Sequence, residues 1–156
     1  MFIDSIQFLQ GKLEDLTKDV LRDDCDWKYT HEAVTHEPRL ARFMRMKLPF
    51  PYTYFDSEEK LKVEKLPDIE EFYDTLRDEE CSEEDYEIVK EIWSIVGDFR
   101  ALHDVYLAFD VLQLCDIFEK FRNETRSQFE LDPIHYYTLP VSILSSKACG
   151  GRGGGP

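Results

Sequence analysis

A chain of 156 residues, 42% hydrophobic and 13% aromatic with a third of its residues charged, holds apolar material for one ordinary domain or a large piece of one. Its net charge of -14 argues against nucleic-acid binding by the whole surface, because phosphate contacts need clustered lysine and arginine. It has no apolar run of membrane-spanning length, and MFIDSIQF lacks the basic start and long apolar stretch of a signal peptide, so the expectation is a soluble, intracellular protein with no membrane partner.

The opening FIDSIQFL is rich in β-branched and aromatic residues and reads as a strand over residues 1 to 8. After Gly11, the spacing of Leu13, Leu16, Val20 and Leu21 predicts a short amphipathic helix, and RDDCDWKYTHE reads as loop. His31 and His36 lie in HEAVTHE, one residue too long to put two imidazoles on one helical face, which favours surface positions over a zinc site. Cys25, Cys81, Cys115 and Cys149 form no C-x-x-C pair and read as reduced thiols.

Pro38 opens a second short helix through RLARFMRM, which ends before KLPFPYTYF, where two prolines enforce extended backbone. Pro67 sits where another helix starts, over DIEEFYDTLR. Ser82 and Asp85 resemble a capping box for EEDYEIVKEIWSIV, and Gly97 ends that helix. From about Leu102 to Thr125, Val105, Phe109, Leu112, Phe118 and Phe121, with Leu114 and Cys115 beside them, give the clearest helical pattern in the chain. LDPIHYYTLPVSIL reads as a turn with short helical pieces, and CGGRGGGP as a flexible end without core-forming side chains.

Charge is unevenly distributed. Residues 1–56 carry 8 basic and 10 acidic groups, residues 57–104 carry 6 and 17, and residues 105–156 carry 5 and 6. The acid is therefore concentrated in the middle, whereas Arg39, Arg42, Arg45 and Lys47 form a basic stretch with no acid inside it. That segmentation suits one polyanion-facing edge and one solvated acidic flank.

Tyr106 and Asp110 lie four apart on the strongest predicted helix and so share a face. By pattern alone, Asp110 reads as the polar side of an amphipathic helix, near His103 and Asp104. The segment YLAFDVLQLCDIFEKFR, followed by LDPIHYYTLPV, resembles the protein-primed family B DNA polymerases of phages, viruses and self-synthesising transposons, which carry Y-x-x-x-D as their third exonuclease motif. FPYTYFDSEEKL, LPDIEEFYDTL and SEEDYEIVKEIW precede it in the family's order and near its spacing, so the resemblance runs from Phe2 to about Val141.

The resemblance implies a helix-rich α/β fold, part of an RNase H-like exonuclease domain with few strands. Residues 1–141 would be the C-terminal part of that domain and the start of the link to the polymerase domain, with 142–156 a divergent flexible tail. It implies that Asp110 holds a divalent metal, Mg²⁺ or Mn²⁺ in a complete site, that Tyr106 helps place the attacking water, and that Lys47 in KLPF stabilises charge developing on phosphate. Ser5 and Ile6 would touch a single-stranded primer end, with Ile6 a mild departure from the family's leucine. DNA is the implied partner in the full-length context, with a terminal protein primer beside it, at a nuclear or viral replication site.

The family's Asp-x-Glu pair and further Asp have no counterparts here, since the D-x-E at Asp56 to Glu58 aligns elsewhere, and the palm aspartates are absent too. The expectation is a fragment that is inactive alone. A small acidic interaction protein derived from a transposon polymerase, and an unrelated helical domain, stay open as alternatives.

Overall fold

A computed structural model of the chain describes residues 8–9, 11–21, 26–75 and 78–135. Four α-helices organise them: α1, Leu13–Val20; α2, Lys28–Ala33; α3, Glu83–Val96; and α4, Phe99–Phe129. Short 3-10 turns at Val34–His36, Pro38–Phe43, Glu58–Lys62, Ile69–Phe72 and Pro133–His135 lie around them. The protein is helix-rich, and its only β pairing among the described residues is an isolated antiparallel bridge between Asp74 and Glu79. The strand expected over residues 1 to 8 lies almost wholly outside the described residues, and so do Ser5, Ile6 and the 142–156 tail; Phe8 itself is in a turn. No helix among the described residues is long and apolar enough to cross a membrane.

The chain divides into two compact units, one of residues 29–113 and one of residues 1–28 with 114–156, and α4 contributes to both. In the first unit, local signals fix α3 at both ends. The Ser82 side chain accepts a hydrogen bond from the Asp85 amide at 3.0 Å, satisfying one of the donors a helix start leaves orphaned. At the other end Gly97 adopts φ 84, a left-handed conformation that costs glycine nothing, and its N–H closes on the Trp93 carbonyl. One residue later Asp98 starts α4: its carboxylate accepts from the Ala101 amide at 2.8 Å and its carbonyl from the Leu102 amide.

The core of this unit is aromatic. Phe99, with no exposed surface, meets the rings of Phe50, Tyr54 and Phe55, and Phe50 also meets His103 and stacks on Tyr106 with centroids 4.5 Å apart. Val89 and Ile92 of α3 are buried, and Arg42 reaches Glu91 at 2.6 Å. The Phe99 amide also donates to the Val63 carbonyl, tying the 3-10 region to the start of α4.

In the second unit, Phe8 packs against Phe118 and Phe121 of α4, and Lys120 pairs with the nearly buried Asp26 at 2.7 Å. Asp132 draws the chain after α4 back to it: both its oxygens accept from Arg122, and it also pairs with Arg126. The Arg122 guanidinium beside it holds the Asp132 carboxyl well below the usual carboxylate range. Glu130 takes a left-handed φ of 57 and its amide donates to the Arg126 carbonyl, so α4 stops without a glycine.

Several sequence expectations need correction. The part of RDDCDWKYTHE from Lys28 onward is helix α2, stabilised by burial of Thr30 within it and Trp27 just before it, which outweighs the weak local propensity. Of DIEEFYDTLR, the described residues 68–75 form the 3-10 turn Ile69–Phe72 and the bridge residue Asp74 in place of an extended helix. The short helix that Pro38 opens is of 3-10 type and stops at Phe43, short of the end of RLARFMRM. Helix α4 begins before Leu102 and runs past Thr125. Of the expected Val105, Phe109, Leu112, Phe118 and Phe121 only Phe109 is fully buried; the buried residues of α4 are Phe99, Leu102, Tyr106, Phe109, Gln113, Asp116, Ile117 and Thr125. His31 and His36 are exposed, as the spacing argument expects.

Candidate functional site

Helix geometry places Tyr106 and Asp110 one turn apart, and the Tyr106 hydroxyl donates to Asp110 Oδ2. The same hydroxyl bonds the Tyr52 hydroxyl. A phenol has one proton, so with Tyr106 donating to Asp110, Tyr52 must donate to Tyr106. The result is a directed chain from Tyr52 through Tyr106 to the carboxylate. Phe50 stacks on the Tyr106 ring and Tyr52 meets it edge-on, which fixes the phenol in place.

The loop carrying Lys47 is tied to the same helix. Gln113 donates its side-chain amide to the carbonyls of Met44 at 2.8 Å and Met46 at 3.0 Å, while Phe50 and Tyr52 rest on Tyr106. Residues 106 and 113 are about 10 Å apart along the helix at 1.5 Å rise per residue, and Asp110 lies between them. Lys47 therefore sits on a strap anchored on both sides of Asp110, and it is half-buried. Three of the expected site residues, Lys47, Tyr106 and Asp110, are thus held on one helix and its strap. Ser5 and Ile6 lie outside the described residues.

Tyr106 is 9% exposed and Asp110 half-buried, so the phenol does not stand open to a groove as its expected role would suggest; its hydroxyl is already engaged on both sides. Burial above all, then the Asp110 and Tyr52 hydrogen bonds, pushes the Tyr106 phenol far above its ordinary value. The folded value lies above the unfolded one, so the stabilisation is fully present below the unfolded phenol value near 10 and is lost as pH rises beyond it. We expect the urea midpoint to fall as pH rises from 9 to 11, and the Tyr106→Phe chain to show a shallower fall; equal slopes would mean that this phenol is not held protonated by the fold.

Among the described residues no group of three or more His, Cys, Asp or Glu is placed to hold a metal ion. A hard divalent cation needs about six oxygen ligands, so Asp110 with two neutral phenols does not fit Mg²⁺ or Mn²⁺ by itself. What the arrangement does is orient a carboxylate and fix the proton on its neighbour.

Tyr52 and Phe50 were not singled out from the sequence as site residues. Tyr52 is 54 positions from Tyr106, beyond the reach of any helical period; only the aromatic density of FPYTYF hinted at it. Comparison with protein-family models, curated proteins and solved structures finds no match.

Proposed function

We propose that this chain is the closing part of the 3′ to 5′ exonuclease region of a protein-primed family B DNA polymerase, a portion of an RNase H-like domain, contributing the third exonuclease motif and contacts to a single-stranded primer end. The observation that carries the reading is the pairing of Tyr106 with Asp110 beside a strap that carries Lys47. In this reading Asp110 supplies one carboxylate to a metal centre whose other ligands lie elsewhere, Tyr106 positions the attacking water once its hydroxyl exchanges Tyr52 for that water, and Lys47 stabilises charge on the phosphate. Ser5 and Ile6 contact the primer strand. Mg²⁺ or Mn²⁺ enters only when the site is complete, and a terminal protein primer is a further partner in the full-length context.

The test uses a single-stranded oligonucleotide ending in a 3′ 4-thiothymidine, irradiated with the purified chain and mapped by mass spectrometry. Adducts concentrated at Lys47, Tyr52 or Tyr106, and weakened by Lys47→Ala, are the expected result. Absent adducts, or adducts scattered over the surface, would sink the reading. A parallel assay with Mg²⁺ or Mn²⁺ should show no 3′ degradation by the chain or by Asp110→Ala, since one carboxylate makes a poor two-metal site. A second reading, a small acidic interaction protein derived from a transposon polymerase, is favoured by one observation, the 17 acidic against 6 basic groups of residues 57–104.

A further inference from the structure

Within the 29–113 unit, an open pocket of about 520 Å³ lies over Ile69, Glu70, Tyr73, Glu80 and Cys81. Its lining mixes an aliphatic side chain, an aromatic ring, a thiol and two carboxylates. The Tyr73 hydroxyl donates to Asp78, which holds the phenol end and leaves the ring as a fixed wall. The neighbouring ion pairs join Lys65 to Asp68 and Lys90 to Glu87; among the described residues neither Glu70 nor Glu80 is in one. Residues 67–85 contain ten acidic residues and a single basic one, so the local field is strongly negative.

We propose that this pocket is a docking site for an arginine side chain of a basic partner protein. The argument is charge and shape complementarity. A guanidinium is planar, stacks on an aromatic ring and donates to carboxylates along its edges, and the methylene stem of arginine suits an aliphatic wall such as Ile69. A lysine ammonium matches the charge but has no flat face for Tyr73. The inference deepens the interaction reading and is independent of the nuclease reading, since none of its residues belongs to the Lys47, Tyr52, Tyr106 and Asp110 group; photo-crosslinking can fail while this site stands, and the reverse.

The test is a fluorescence-anisotropy titration of the full chain with a labelled eight-residue peptide of alternating arginine and glycine, and with its lysine counterpart, at physiological salt. The expected result is tighter binding of the arginine peptide, weakened about tenfold by Glu70→Gln with Glu80→Gln and by less than about twofold by Glu83→Gln with Glu84→Gln, which changes net charge equally outside the pocket. Cys81 lines the pocket and Cys115 is exposed outside this unit, so the peptide should slow iodoacetamide alkylation of Cys81 and leave Cys115 unchanged. Equal weakening by the two glutamate pairs would overturn the proposal in favour of a diffuse acidic field. Absence of binding, unprotected Cys81, or equal affinity for the lysine peptide would overturn it as well, and so would protection of Cys81 by calcium chloride alone, which would make the pocket a cation site.

Discussion

Replacing Phe99 with alanine should lower the stability of the chain by about 3–5 kcal/mol, the cost of emptying a fully buried aromatic site that cannot collapse. Phe99 has no exposed surface, and its ring lies against three others, Phe50, Tyr54 and Phe55, which are themselves held by their own neighbours. Because those rings pack from a separate stretch of chain, the void would fall where the strap meets α4. Urea unfolding followed by circular dichroism would measure the loss. A change below about 1 kcal/mol would mean that the ring cluster repacks freely and does not position Tyr52 and Phe50. Phe99→Leu should recover a large part of the loss, which separates a volume effect from loss of the ring contacts.

Replacing Gln113 with leucine should cost about 2–4 kcal/mol although it makes a buried residue more apolar. The amide nitrogen of Gln113 satisfies two carbonyls, the buried one of Met44 and the part-buried one of Met46, and leucine would leave both without that donor, at about 1–3 kcal/mol for a fully buried group and less for one that water reaches. Glutamate at the same position would be worse, since a carboxylate cannot donate. Native-state hydrogen exchange would show which region loosens: faster exchange confined to residues 44–52 is expected, and uniform acceleration across the chain would place the role of Gln113 in the general core and not in the strap.

These two residues also show how far the sequence could be read. Both ends of α3 were legible because their causes are local: Ser82 caps an amide three residues on, and Gly97 supplies a left-handed turn. The existence of α4 was legible from its apolar spacing, but its start was not, because the cap at Asp98 follows a glycine that had already been used as a stop. The buried face was misjudged where it turns polar. Gln113 reads as an outward residue unless one knows that two carbonyls, 67 and 69 positions back, wait for its donor. The same distance in sequence hid Tyr52. Pairing of Tyr106 with Asp110 was legible, since four residues on a helix is a local spacing, while the partner that orders the Tyr106 proton came from a loop whose prolines spoke only of extended backbone.

The aromatic closure at Phe55 and Phe99 carries a consequence for how the chain tolerates length changes. Tyr52 meets Tyr106, and Phe55 meets Phe99 and His103, so the segments on either side of residues 56–98 hold one another directly. The intervening 3-10 turns and α3 form an excursion whose two feet are already clasped. Closing a longer or shorter flexible excursion between fixed feet changes the free energy only slowly with length, by about 0.6 kcal/mol per doubling. Shortening or extending the tract between Asp74 and Ser82 would therefore leave Tyr52, Tyr106 and Asp110 in register, while α3 keeps its place through its buried Val89 and Ile92.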